Sequence, residues 1–556
     1  MKLRKIYLCV VFVIGFLACS DKMDYHEYTS YEKDHVFTDF GRTAGFVNNI
    51  YSYLDSDLPG LNSLASACDE AEMAVNYSTI LDYTNGNWSA LSPKSQWGYY
   101  TAIRAANYFL KESEDLDFYD LRFTQDYEAQ MNRFNRYQYE VRLLRAYYYF
   151  ILVRTYGDVP FTTEVLSEKE ANSILRTPYS EVFDFIIKEC DDVALELPVT
   201  YTGLENDAAG GTNNPETGRV TRGMALALKA RASLYRASKL FNEDDNKDLW
   251  KDAAQACWDV IDYCDINGIT LGKYTDLWGT NNYNASEVIF ARRIGDTNSP
   301  ERENFPIGLE NALAGNCPTQ TLVDAYEMKD GSTPVLGSFD GRDPRFRMTI
   351  AVNGDKWPNS NPNPLETYIG GRNGLPIPYA TPTGYYLKKY LDGSIDISAS
   401  EGTGGKRHSW ITFRLGEFYL NYAEAVFRYL GSADATSNEF TMSASKAVNK
   451  VRSRSDVKMP DFPMGMNNSE FWERYKRERM VELAFEGHRF WDIRRWKEGG
   501  FQKIDRLQII KNPNESLSYK RISKPLVWED KMYFYPIPDA EIRKNPNLTQ
   551  NPGWGK

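Results

Sequence analysis

The chain has 556 residues, 42% hydrophobic and 25% charged, which excludes a disordered chain and a single small core and points to two to four domain-sized units or one large repeat-built body. Lys and Arg number 65 against 76 Asp and Glu, a formal net charge of −11, and an acidic chain without clustered cations is a poor partner for nucleic acid. Aromatic residues reach 14%, enough to leave rings at the surface, where sugars and peptides both find them.

Residues 1–18 read as a secretory leader. Lys2, Arg4 and Lys5 form its positive end, and Ile6 to Ala18 is an apolar run of 13 residues, too short to span a bilayer comfortably. It ends in Phe16-Leu17-Ala18-Cys19-Ser20, where a small residue before a cysteine resembles a bacterial lipobox with Cys19 as the acylation site. Phe16 and Leu17 depart from the usual pattern, and ordinary cleavage near Ala18 is the alternative. The polar run Ser20-Asp21-Lys22-Met23-Asp24 favours a lipid tether, which several acyl chains would hold stably. Losing the leader removes three cations and no anion, so the charge falls from −11 to −14.

From 95 to 156 the pattern is helical. WGYYTAIRAANYFL (97–110) repeats apolar residues at three- and four-residue steps, and YEVRLLRAYYYFILVRTYGDVPF (139–161) stops at Gly157 and Pro160. A further helix starts at Pro178, capped by Thr177 or Ser180. Residues 201–219 read as a polar loop. The stretches 220–241 and 248–264 form a helical pair whose Ala225, Ala227, Ala230, Ala232 and Ala237 permit close approach, as in tetratricopeptide units. NEDDNKD (242–248) lacks the spacing of a calcium loop and reads as a cap for the second of them. Residues 265–410 are rich in Gly, Pro and Asn and read as loop with short strands; so long a run is usually functional. Helices return at 411–431, 442–454 and 469–500, followed by an extended tail over 532–554. The expected fold is mainly α: helical-hairpin repeats rather than a regular solenoid, with a loop-rich insert carrying short strands. The expected divisions are a leader (1–18), an N-terminal helical region (19–240) and a C-terminal region (241–556) containing the insert 265–410.

Cys68, Cys190, Cys257, Cys264 and Cys317 show neither disulfide nor zinc spacing, and the four histidines (26, 35, 408, 488) are scattered, so no metal or cofactor is expected. The stretch ERMVELAFEGHRFWDIRRW (478–496) holds the acids most suggestive of catalysis. Glu478, Glu482 and Glu486 recur every four residues, a spacing compatible with a glycosidase pair. Each acid, however, has a basic neighbour on a helix: Glu478 has Arg474, Glu482 has Arg479, Glu486 has Arg489, and Asp492 has Arg495. Such pairs keep carboxylates ionised, so these residues read as structural ion pairs, and His488 as a packing or capping residue.

The loop aromatics remain. Trp88 sits beside Asp82, Asn85 and Asn87; Trp278 and Tyr283 share LWGTNNYN; Trp357, Tyr368, Tyr379 and Tyr385 lie in the long insert. A ring covers the apolar face of a sugar while amides and carboxylates take its hydroxyls. The alternative is that each ring plugs its loop onto the core.

Glu478-Arg479, Glu482-Leu483, Phe485-Glu486-Gly487, Arg489, Asp492 and Arg495-Trp496 together resemble the C-terminal signature of the SusD/RagB family of outer-membrane lipoproteins. The tail YPIPDAEIRKNPNLTQNPGW (535–554) and the segments 145–161, 223–237, 318–331 and 414–425 resemble that family as well. The resemblance covers essentially the whole mature chain. It implies a helical scaffold of four tetratricopeptide-like pairs and a surface-exposed outer-membrane lipoprotein that binds a glycan without catalysis and serves a SusC-like TonB-dependent transporter. An oligopeptide ligand is the alternative, and a glycosidase or peptidase a more distant one. It also places ligand contacts near Trp88 and Asn87 and, by position only, near Phe305 and Asn311.

Overall fold

The computed structural model describes residues 33–202, 204, 216–359, 361–398, 405–500 and 503–555. The leader and Cys19 lie outside the described residues, as does most of the loop expected over 201–219.

Eight helices make the body in four hairpins: α1 (Phe40–Ser52) with α2 (Tyr99–Glu112), α3 (Tyr127–Tyr156) with α4 (Tyr179–Ala194), α5 (Arg222–Ala237) with α6 (Lys247–Ile266), and α7 (Leu415–Leu430) with α8 (Ala444–Arg452). From α2 to α8 each helix packs on its predecessor, and α1 lies across α2 and α3. Small residues set the spacing. The five alanines of α5 are fully buried, and a side chain at Gly223 would meet the Tyr263 ring of α6 at 2.8 Å.

The boundaries follow from local chemistry. α3 ends at Gly157, whose φ of +71° suits glycine and whose N–H donates to Val153. Neither Thr177 nor Ser180 caps α4; Asp158 accepts from the Tyr179 N–H at 2.9 Å instead. Asn246 caps α6 by accepting from the Asp248 N–H, the role expected of NEDDNKD. Many of the aromatics are core. Tyr147, Tyr148 and Tyr149 of α3 are all buried, with their hydroxyls donating to Asp55, the Ile50 carbonyl and the Thr162 carbonyl.

Two readings are corrected. Residues 411–414 are strand rather than helix: Lys406–Arg414 pairs antiparallel with Val288–Thr297, and helix begins only at Leu415. Residues 408–414 are buried throughout, so the run lacks the polar alternation that marks a one-sided strand. The stretch 469–500 is two helices, α9 (Asn468–Glu482) and α10 (Arg489–Arg495), because Phe485 and Gly487 take φ of +61° and +72° and turn the chain. The tail also carries short helices at Asp530–Tyr533 and Asp539–Lys544.

The insert leaves the stack after α6 and rejoins it at α7, yet α6 and α7 pack side by side. It builds a second core from Phe305, Tyr326, Phe346, Tyr385 and Leu387 against Met480 and Phe485, closed by the antiparallel hairpin Lys503–Lys511/Leu517–Pro525. The main core draws on the chain from Phe37 to Trp554. Among the described residues no helix is long and apolar enough to cross a membrane.

Candidate functional site

The acids of 478–492 are ion-paired, but mostly with residues far along the chain. Glu478 meets Arg345 and Arg452 at 2.6 and 2.5 Å; Glu482 meets Arg345, Arg414 and Arg454 at 2.8, 2.8 and 2.9 Å; Glu486 meets Arg414 and Lys389 at 2.7 and 2.9 Å. Arg489 turns to Asp69 at 2.8 Å rather than to Glu486. Of the local pairs expected from spacing, Asp492 with Arg495 forms, at 2.8 Å, and Arg479 joins Asp492 instead of Glu482. The break at 485–487 rotates the later residues off the helix face that the spacing assumed.

Burial alone would push the Glu482 carboxyl up, but Arg454, Arg414 and Arg345 outweigh it and hold the group well below the usual range. Glu486 is likewise lowered, by Arg414 and Lys389 against burial. His488 is held neutral, first by burial and then by four surrounding guanidinium groups. Two ionised, fully partnered glutamates make no general acid, and the cluster joins the insert (Arg345, Lys389) to the repeat body.

The expected ligand residues do not converge on one place. Trp88 is only 3% exposed, wedged between Tyr83, Tyr535 and Trp554 at 5.0, 5.1 and 4.7 Å, so its faces are covered by core rings. Asp82 pairs with Lys94 at 2.6 Å, while Asn85 and Asn87 are exposed at the end of the helix Leu81–Asn85. Trp278 stands between Tyr274 and Tyr390 with the Lys389 ammonium 3.8 Å from its ring, and Tyr283 lies under Arg293 at 4.1 Å. Phe305 is fully buried and meets Trp357 edge-on at 5.8 Å, and the Trp357 indole N–H donates to the Leu387 carbonyl. Tyr385 is buried and donates to Gln320. Asn311 is exposed, and Tyr368 is half-buried beside Lys511.

An exposed aromatic surface does exist where three loops meet. Tyr77, from the loop after the strand Ala71–Met73, is 60% exposed and meets Tyr379 edge-to-face at 6.1 Å. Tyr379 adopts φ +61° and closes the run Leu375-Pro376-Ile377-Pro378, in which Leu375 and Ile377 are exposed; Ile369 of the same loop is exposed too. The loop is held from beneath. Asn373 donates to the Ile307 carbonyl at 2.6 Å and accepts from the Glu366 N–H, its carbonyl accepts from the Tyr386 hydroxyl, and the Ile369 N–H donates to Ile509. A side chain at Gly371 or Gly374 would strike a backbone oxygen at 2.4 Å. Within the loop Arg372 donates to Glu366 at 2.5 Å, a bond that holds the carboxyl down at about 2. The surface is thus braced and ringed, with exposed Asn76, Glu310 and Asn311 on the adjoining loops.

Of its residues, Tyr379 and Tyr368 were readable as loop aromatics. Tyr77 was missed, because MAVNYSTI (73–80) carries no Gly or Pro to mark it as loop. The signal that could have found the patch is LPIPYA, six apolar or ring residues between GRNG and TPTG, which a buried strand would not flank with so many glycines.

A repeat scaffold of four helical hairpins with a loop-built insert defines the class. Residues 286–554 match the family model described as the SusD family, and residues 43–206 match one described as starch-binding, associating with the outer membrane. The chain belongs to the SusD family. The structure is similar to the crystal structure of a SusD-like protein from Bacteroides fragilis, with a TM-score of 0.75 at 26% identity over 94% of this chain and 98% of that one. It is also similar to a SusD-like carbohydrate-binding protein from the same organism, with a TM-score of 0.72 at 21% identity over 92% and 100%. In sequence it is 22% identical to SusD-like protein P25 of Formosa agariphila over 441 residues, 74% of this chain and 71% of the relative.

Proposed function

We propose that this protein binds an oligosaccharide without turning it over, at the outer surface of the cell, and passes it to a SusC-like TonB-dependent transporter. The observation that carries the reading is the Tyr77–Tyr379 pair, an exposed ring set edge-to-face against a half-buried one that the braced loop carries, with Arg372 and Glu366 of that loop paired to each other. Such a surface favours neutral sugars, whose C–H faces cover rings while exposed amides take the hydroxyls. The name of one structural relative, a laminarin-binding SusD-like protein, and the starch-binding description of one matching family model support a glycan. The ionised state of Glu482 and Glu486 supports binding without catalysis. A lipid anchor at Cys19 and the transporter partner rest on the lipobox-like leader and on family membership. An anchored binder needs only modest affinity, since tethering keeps its local concentration high.

The exposed Leu375, Ile377 and Ile369 favour a second reading, an oligopeptide whose apolar side chains lie on the same patch. A glycan array run beside a peptide library decides between them. On the glycan reading, Tyr77→Ala with Tyr379→Ala removes binding to the enriched glycan by calorimetry and leaves the melting temperature within about 2 °C, both side chains being at the surface. Enrichment of peptides alone sinks the sugar reading, and full glycan binding by the double variant removes this patch from the site.

A further inference from the structure

A second exposed aromatic feature lies on the segment between α2 and α3. Phe123 is 85% exposed and Tyr119 59% exposed. Arg122 lies over both rings, its guanidinium carbon 3.5 Å from the Tyr119 centroid and 4.3 Å from that of Phe123, and it donates to the Tyr119 carbonyl at 2.7 Å. The guanidinium thus locks the two rings into one knob. The backbone prepares this arrangement. Phe118 adopts φ +48°, which sends its own ring inward, where it stacks on Phe40 at 4.2 Å, and leaves Tyr119 outside. Phe40 opens α1, and Tyr127, which opens α3, also reaches Phe40 and donates to the Asp117 carbonyl. The knob therefore stands on the same end of the molecule as the first described residue, Lys33.

The length of chain beyond that residue limits what can face the knob. Cys19 precedes Lys33 by 14 residues, which span at most about 50 Å when fully extended. A lipid anchor at Cys19 holds this end of the body within about 50 Å of the bilayer, close enough for the knob to reach it. From these observations we infer that the Tyr119–Arg122–Phe123 knob seats in a lipid surface, orienting the tethered protein. The inference rests on the anchor reading of Cys19 given above. Aromatic rings with an arginine suit the boundary between headgroups and acyl chains. Two rings alone bind weakly, and the tether makes that contact count. The surroundings select the lipid: Asp115, Asp117, Asp120 and Asp126 flank the knob and oppose an anionic surface, so a zwitterionic headgroup is its match.

The test uses the chain from Cys19 onward, coupled through that thiol to a maleimide lipid in phosphatidylcholine nanodiscs. Cys68, Cys190, Cys257, Cys264 and Cys317 are buried and do not compete. Hydrogen exchange over 117–126 is compared with the same chain coupled to a soluble maleimide. Exchange slowed about fivefold or more on the nanodisc is expected. That slowing is lost in Tyr119→Ala/Phe123→Ala and diminished as phosphatidylglycerol replaces phosphatidylcholine. Equal exchange in both settings overturns the inference, as does slowing that survives the double variant or grows with phosphatidylglycerol. Slowing of the soluble form with rising concentration overturns it in favour of a second copy of the chain. Chemical coupling separates this outcome from the anchor reading, which mass spectrometry of the mature N-terminus decides.

Discussion

Glu482 meets three guanidinium groups at full burial, and this one carboxylate ties α9 to the insert, to the strand Lys406–Arg414 and to the segment after α8. Glu482→Gln leaves Arg345, Arg414 and Arg454 crowded with one anion fewer, at a cost of about 3–5 kcal/mol. A urea midpoint displaced by less than the equivalent of about 1 kcal/mol would count against the network as a structural element. The same residues set an acid limit. Glu424, buried against Arg495, is lowered from 4.5 to about 2, and Glu482 and Glu486 are lowered as well. Their stabilisation is full above pH 4.5 and disappears as pH falls through the folded values, so unfolding should set in between about pH 4.5 and 2. Glu70 works in the opposite direction. Burial, against the Phe485 N–H it accepts at 2.9 Å, raises its carboxyl to about 8. Its protonated form is favoured, so stability falls as pH rises from 4.5 towards 8. Glu70→Gln keeps an acceptor for Phe485 and removes the ionisation. Melting temperature across pH 5–9 should decline less in the variant, and parallel curves would refute the assignment.

At the scale of elements, the braced loop 366–380 makes the sharpest claim. Gly374→Ala places a methyl 2.4 Å from the Tyr368 carbonyl oxygen, which the loop can accommodate only by moving the residues that carry Tyr379. Ligand affinity should fall about tenfold, or 1.4 kcal/mol, with a far smaller change in global stability. An affinity equal to wild type would show that the loop does not position the ring. The helices of the repeat body were legible because their apolar steps persist over many turns and their ends carry Gly157, Pro178 and Asn246. The strand over 406–414 was not, since both faces are buried and no alternation survives. The turn at 485–487 was not, because Phe485 in a left-handed conformation is imposed by its neighbours: its N–H is held by Glu70, more than 400 residues earlier. Trp88 illustrates the same limit for the site. Beside Asn85 and Asn87 it has the local look of a sugar platform, but Tyr535 and Trp554 from the tail cover it, and no local pattern reports a contact at that separation.

For the whole molecule, the tail acts as a closure. Trp554 packs on Trp88, its indole N–H donates to the Phe534 carbonyl, and Asn551 donates to the Tyr156 and Tyr535 carbonyls, so the last residues fasten the first loops to α3. Trp554→Ala should cost about 3–5 kcal/mol and expose the Trp88 ring. Calorimetry reads the first effect and tryptophan quenching by acrylamide the second; a variant as stable and as shielded as wild type would show that the tail is only draped over the body.

The insert leaves and returns at two helices that touch, so its length is decoupled from the spacing of the repeats. That is the geometry of an exchangeable cartridge, in which a new recognition surface arrives without redesign of its holder. Arg345 and Lys389, however, travel with the cartridge, and their acids Glu478, Glu482 and Glu486 stay behind. The ion pairs therefore work as a keyed socket. A foreign insert is expected to seat only if it brings cations to those two places, since it would otherwise leave buried carboxylates short of partners.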